Sequence, residues 1–186
     1  MYIQDINIIY IILEYYYGLK NRILHNVCKY GDYNIIKMLI ELDSKININI
    51  KDYYNRLPIH YASSGGYYNI VKILINNNTD VNSQDKQGVA PLHYACRNGY
   101  FNVVKILIEN NADVNIQDIY KNTPLHWSTW VKNNDIINLL IHNKANINIK
   151  NKYNQTPFDI AIIRNFYKNN IYYKKIREGQ SPTSGT

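Results

Sequence analysis

A chain of 186 residues with a formal net charge of +7 and an isoelectric point near 9.2 has the length of one or two ordinary domains. The positive balance permits contact with acidic proteins, nucleic acid or anionic membrane and selects none of them. The two cysteines offer no paired-cysteine zinc spacing, and neither a Gly-rich phosphate loop nor a nucleophile elbow occurs.

The chain opens on Met1 to Leu19, where Ile8 to Leu13 is a dense apolar run continued by Tyr15, Tyr16 and Tyr17. Asp5 and Glu14 interrupt the run, no positive segment precedes it and no small-residue cleavage site follows. It is also shorter than the roughly 20 apolar residues a bilayer span requires. Residues 1–20 are therefore expected to form an apolar capping helix over the first downstream unit, with insertion into a membrane or a partner as the alternative.

Downstream, Leu57-Pro58-Ile59-His60, Ala90-Pro91-Leu92-His93, Thr123-Pro124-Leu125-His126 and Thr156-Pro157-Phe158-Asp159 recur with their prolines 33 residues apart. Self-similarity at that period predicts a stack of helical hairpins. Proline fits the first helical turn, where its missing N–H costs nothing, and Thr123 or Thr156 before it can cap the open amides. Gly31, Gly66, Gly99, Lys132 and Asn165 mark the turn between helices in successive units. Second helices follow over Asn34 to Ile40, Asn69 to Ile75, Asn102 to Ile108 and Asp135 to Ile141. Their apolar stripe is too broad for one hairpin to hide, so neighbouring units must cover it. Leu74 and Leu107 are expected to be buried between units and Lys105 to face water.

Each unit exits toward Asp52, Asp85, Asp118 or Asn151 before the next hairpin tip. Asn78 and Asn111 after the second helices, and Asn55 and Asn154 at the tips, stand where a left-handed residue is expected, a conformation asparagine tolerates best after glycine. Lys121 and Lys144 occupy the same places and are expected to be strained. The first unit is less regular, since His25 to His60 spans 35 residues. The extra residues fall within Glu41 to Lys45, and Arg22-Ile23-Leu24-His25 lacks the Thr-Pro pair, leaving Asn21 as the candidate N-cap.

This pattern resembles the ankyrin repeat, whose signature Thr-Pro-Leu-His-x-Ala recurs at about 33 residues. The resemblance runs from Asn21 to Ile176 and implies an all-α fold, an ankyrin-repeat solenoid of helix-turn-helix units joined by β-hairpin loops. Five units are expected over residues 21–177, at about 21–52, 53–85, 86–118, 119–151 and 152–177. The last is a degenerate C-terminal cap around Phe158-Asp159-Ile160-Ala161, and a disordered tail is expected over residues 178–186.

Nothing in this arrangement assembles a reaction centre. His25, His60, His93 and His126 are all the motif histidine, spaced along a rod, whereas a metal needs donors converging on one point. In a family of this kind the imidazole bonds within and between helix-start turns. His142 stands apart, near a helix end where its charge favours the dipole. Ser63-Ser64-Gly65-Gly66 resembles a phosphate nest only because Gly66 is an inter-helix turn glycine. Cys28 and Cys96 hold the same place two units apart, beyond the reach of about 7 Å between disulfide Cα atoms. They are expected to be buried and reduced, which suits an intracellular compartment, cytoplasmic or nuclear, or a host cytosol for a parasite, bacterium or virus. Lys37, Lys72 and Lys105 recur on the outer side of the second helices and read as a solvated face.

The resemblance further implies a binding surface along the hairpin tips and the exposed side of each first helix. Carried over by position, it comprises Tyr53, Tyr54, Arg56 and Tyr61 of the second unit and Lys86, Gln87, Tyr94 and Arg97 of the third. Ile119, Tyr120, Trp127 and Trp130 follow from the fourth, and Lys152 and Tyr153 from the fifth. Ser64, Val89, Asn98, Asn122, Val131, Gln155, Ile163 and Arg164 belong to the same strip. Tyr, Trp and Arg are the types enriched at interface hot spots, although Trp127 also suits packing against the adjacent helix. The expected function is a non-enzymatic, monomeric protein–protein interaction scaffold without cofactor, metal or transmembrane span. The alternatives are a nucleic-acid-binding module on the basic face, or an adaptor recruiting host machinery through the N-terminal segment.

Overall fold

A computed structural model describes residues 19–42 and 46–163. Residues 1–18 of the expected capping helix, much of the insertion near residue 44, the C-terminal cap beyond residue 163 and the tail lie outside these residues, while Leu19 and Lys20 open the first described helix. Described helices come in pairs: α1 (Leu19–Tyr30) with α2 (Tyr33–Leu42), α3 (Pro58–Gly65) with α4 (Tyr68–Asn76), and α5 (Pro91–Asn98) with α6 (Phe101–Glu109). α7 (Pro124–Trp130) pairs with α8 (Asn134–His142), and α9 (Pro157–Ile163) opens the fifth unit. First helices pack in the order α1, α3, α5, α7, α9, and second helices in the order α2, α4, α6, α8. Every described unit thus touches the units beside it.

The apolar stripes explain that order. Ile70, Val71 and Leu74 of α4, Val103, Val104, Ile106 and Leu107 of α6, and Ile136, Ile137 and Leu140 of α8 are buried. Leu24, Ile59, Leu92 and Leu125 of the first helices are buried against them, joined by Ala62 and Ala95. Lys37, Lys72 and Lys105 are exposed on the opposite side, where Lys37 and Lys105 form ion pairs with Glu41 and Glu109 at 3.8 and 3.9 Å. Cys28 and Cys96 are free and fully buried, and burial raises the Cys28 thiol to about 12 and Cys96 also above its ordinary value. Their positions are small-residue sites, filled by Ser63 and Thr129 in the units between and after them.

Helix starts differ from expectation in two places. Asn21 lies inside α1, which begins at Leu19, so it is not the cap. At the three regular starts the histidine does the capping from within: Nδ1 of His60, His93 and His126 accepts the N–H of Leu57, Ala90 and Thr123 at 3.0 to 3.1 Å. Leu57 and Ala90, without polar side chains, suffice at the cap because Pro58 and Pro91 carry no N–H to satisfy and the N–H groups of His60 and His93 bond the Leu57 and Ala90 carbonyls at 3.0 Å. The Thr123 hydroxyl contacts the His126 ring at 2.9 Å. In the fifth unit the expected cap is present as a reciprocal box: Thr156 Oγ1 accepts the Asp159 N–H at 3.2 Å while the Asp159 carboxylate accepts the Thr156 N–H at 2.8 Å.

Turns between helices carry positive φ at Gly31, Gly66 and Gly99 and at Lys132. Glycine is needed at the first two because the aromatic ring of the next unit lies on it: a Cβ on Gly31 would stand 2.4 Å from Tyr67, and one on Gly66 2.5 Å from Tyr100. Asn55, Asn78, Asn111 and Asn154 adopt the left-handed conformation, as do Lys121 and Lys144. A second set of asparagines sews units together behind the tips. Asn82 donates to the Asn111 carbonyl at 2.9 Å and accepts the Asp113 N–H at 2.7 Å. Asn49 and Asn115 make the corresponding pairs to Asn78 and Asp80, and to Lys144 and Asn146.

The connecting hairpins are tight turns, and among the described residues none reaches the length of a β-strand. Each is closed by one backbone bond across its base, as from the N–H of Asp118 to the carbonyl of Asn122 at 2.9 Å. Neighbouring tips are joined by single bonds from Lys86 to Tyr54, Ile119 to Gln87 and Lys152 to Tyr120, at 2.8 to 2.9 Å. The tips therefore stand as one continuous edge.

Candidate interaction surface

Each tip is organised by the residue that opens it. One oxygen of Asp52 accepts the N–H groups of Tyr54 and Arg56 at 2.8 and 2.9 Å. The other takes the Tyr61 hydroxyl at 2.7 Å and the Arg56 guanidinium at 3.1 Å. Asp85 repeats this with Gln87, Val89 and the Tyr94 hydroxyl, and Asp118 with Tyr120, Asn122 and the Trp127 indole N–H at 3.0 Å. In the fifth unit the partner nine residues on is Ile160, which has nothing to donate. The hub there is Asn151, whose amide N–H turns to Asn122 Oδ1 at 3.0 Å instead.

This geometry sets the electrostatics. Burial pushes the Asp52 carboxyl up, but the Tyr61 hydroxyl, the Arg56 and Tyr54 N–H groups and the guanidinium outweigh it and hold the group below its usual range. Burial and the facing carboxylate raise the Tyr61 phenol to about 12 and the Tyr94 phenol likewise above its ordinary value. Burial lowers His60 and His93 to about 4 and His126 below its ordinary value, so these rings are neutral near pH 7. With Nδ1 accepting, Nε2 carries the proton and bonds forward: His93 to the Asn122 carbonyl and His126 to that of Gln155, both at 3.1 Å. His25 Nε2 lies 2.9 Å from the Arg56 carbonyl, whereas His60 Nε2 is buried without a hydrogen-bond partner.

The expected strip divides into inward and outward groups. Tyr61, Tyr94 and Trp127 are half-buried and tied to the hubs; they also stack edge-on to His25, His60 and His93. Arg56 is held between the Tyr54 and Tyr61 rings, 4.6 Å from each centroid. Val89 is buried and does not belong to the surface, because it fills the place that Arg56 and Asn122 hold in neighbouring units. Tyr53, Tyr153 and Trp130 stand out at 80, 68 and 54% exposure, with Tyr54, Ile119, Tyr120, Lys86, Gln87, Arg97 and Lys152 also exposed. Arg164 lies outside the described residues.

Between the fourth and fifth units the strip opens into a pocket of about 300 Å³. Trp127, Trp130, Tyr120, Tyr153 and Ile160 wall it, Arg97 stands at its rim, and Asp118, Asn122, Asn151, Gln155 and His126 contribute polar groups. Several of these were missed as site residues. The signal that betrays them is the interval of nine from hub to hub partner, Asp118 to Trp127 and Asn151 to Ile160. Among the described residues no group of His, Cys, Asp and Glu is placed to hold a metal ion. No described helix is long and apolar enough to cross a membrane.

Comparison with known proteins agrees with the repeat geometry. A stretch of 68 residues is 30% identical to the ADP-ribosylation factor GTPase-activating protein AGD4 of Arabidopsis thaliana, covering 37% of this chain and 8% of that protein. The chain thus spans less than a tenth of that relative. Residues 3–85 and 77–151 match the family described as Ankyrin repeats (3 copies). With most of its length matched and its helix pairs stacked at the same period, the chain belongs to the ankyrin-repeat family.

Proposed function

We propose that this chain is a non-enzymatic module that binds a partner protein along its tips and first helices. Repeats of this family generally serve protein–protein interaction. The observation that carries the reading here is the run of outward aromatic side chains, Tyr53, Tyr120, Trp130 and Tyr153, on a scaffold whose hub carboxylates are engaged by their own tips. Large rigid rings bury much area at little entropic cost. The edge of bonded tips holds them in register, so little ordering remains to oppose association. Reduced, buried Cys28 and Cys96 suit an intracellular setting.

The test is capture with the purified protein against the variant carrying Tyr53→Ala, Tyr120→Ala, Trp130→Ala and Tyr153→Ala. Loss of specific partners with unchanged helical circular dichroism is the expected result. A captured set identical for both proteins would reject this surface. Tyr94 and Trp127 are left intact, because removing either strands a hub carboxylate and confounds binding with stability.

A further inference from the structure

We propose that the occupant of this surface is an extended acidic peptide that seats one large apolar side chain in the pocket between the fourth and fifth units. This rests on the protein-binding reading and names the chemistry of the partner. Three observations carry it.

The first is charge. Across the tips and first helices the carboxylates are Asp52, Asp85, Asp118 and Asp159, and each is engaged by hydrogen bonds from the tip or helix start it adjoins. Lys86, Arg97 and Lys152 are exposed on the same strip and form no ion pair among the described residues. The carboxylates lie recessed beneath this face, and of the charges named here those exposed to a partner are the cations. The cations are also laid against aromatic rings: Lys86 over Tyr53 at 3.9 Å, Arg97 over Trp127 at 5.5 Å and Lys152 over Tyr120 at 5.9 Å. Such contacts restrain long side chains before a ligand arrives.

The second is the pocket itself. At about 300 Å³ it sits at the low end of ligand pockets, about 300 to 1,000 Å³, a size for one aromatic or long aliphatic side chain. Its polar lining is already paired, Asp118 with Trp127 and Asn122, Asn151 with Asn122, and His126 with Gln155. An entering group therefore finds apolar walls with Arg97 beside them, and Lys152 lies over the ring of the wall residue Tyr120.

The third is spacing. The first tip position reads Tyr53, Lys86, Ile119, Lys152, so its cations recur every second unit. Neighbouring helices pack about 8 to 10 Å apart and an extended chain advances about 3.3 Å per residue, which places two acidic residues about five or six positions apart with the apolar anchor between them. Cations this sparse do not track successive phosphates of a nucleic acid, so a peptide is the better occupant.

Trp127 and Trp130 are the protein's two tryptophans, and both wall the pocket, so their emission reports its occupancy. The probes are a blocked peptide of about twelve residues, the length that spans four units, built of Asp and Glu around a central Phe; the same peptide with Ser for Phe; its Lys counterpart; an oligo-dT strand; and phosphatidylserine vesicles. The Phe-containing acidic peptide is expected to shift the emission saturably, with affinity about tenfold or more above the Ser and Lys peptides. Arg97→Gln with Lys152→Gln is expected to weaken it about tenfold, and Trp130→Ala to erase the preference for Phe over Ser, both with unchanged thermal melting. Absence of saturable binding by the acidic peptide, equal or tighter binding of the Lys peptide, oligo-dT or vesicles, or indifference to the double Gln variant overturns the proposal. Should it fall while the four-alanine variant still loses its captured proteins, protein binding stands and only the acidic class is wrong.

Discussion

At the scale of single residues the most consequential group is the tip aspartate, which closes its own turn with one oxygen and ties down an aromatic nine positions later with the other. Tyr94→Phe deletes the donor while keeping the ring, so the buried Asp85 carboxylate loses a partner. The expected cost is about 1 to 3 kcal/mol in urea denaturation, whereas Tyr153→Phe on the exposed side is expected within about 0.5 kcal/mol. Sequence shows which residue types crowd this face but not which way each points. Tyr61, Tyr94 and Trp127 read as contact residues because their types suit an interface; their polar atoms are consumed by Asp52, Asp85 and Asp118, which leaves their rings, as that of Trp127 in the pocket wall. Direction depends on a partner nine residues away, and a hot-spot composition does not encode it. Val89 misled for the complementary reason: an apolar residue at a normally polar tip position is drawn under the surface.

At the scale of helices and turns far more was legible, because period and stripe are properties of the chain alone. The 33-residue interval located α3, α5, α7 and α9 at their prolines, and the apolar stripes located α4, α6 and α8. Leu107→Ala in α6 opens a cavity between units and is expected to cost about 2 to 5 kcal/mol. Lys105→Ala one turn-face away removes only an exposed pair to Glu109, expected to cost less than about 0.5 kcal/mol; equal losses in chemical denaturation would refute the assigned faces. The left-handed turns were equally readable wherever Asn or Gly stood. Lys144, at positive φ, carries a backbone cost of about 1 to 2 kcal/mol, part of which glycine's chain entropy offsets. Lys144→Gly is thus expected to raise stability by about 0.5 to 1 kcal/mol. Gly66→Ala is expected to lower it, since the added methyl meets the Tyr100 ring; melting temperatures of the two variants should move in opposite directions. Asn21 failed as a cap because α1 begins two residues earlier.

At the scale of the whole molecule the units communicate only through neighbours, so a charge introduced at each junction acts on the entire stack. His60 and His93, held near 4 by burial, bind protons in the unfolded chain near 6.5 before they do so in the fold. Stability from this source is complete above about pH 6.5 and falls as the pH drops toward 4, by about 1.4 kcal/mol per pH unit for each ring. Urea midpoints measured between pH 7.5 and 4.5 are expected to decline through that window; a midpoint that rises on acidification would contradict the neutral rings. The pairing of hub and distant aromatic also governs how such a chain can be lengthened or recombined. Asp goes with a donor and Asn151 with Ile160, so a segment exchanged with the fifth unit remains compatible only when its cut leaves both members on the same side. Cutting between tip and helix, after residue 120 for instance, would join a carboxylate to an isoleucine and leave it unanswered. For exchange with the fifth unit the natural segment therefore begins ahead of the tip, and a library of spliced variants should fail at junctions within the following nine residues that join an Asp hub to Ile160, while tolerating them among the second, third and fourth units, where every Asp meets a donor.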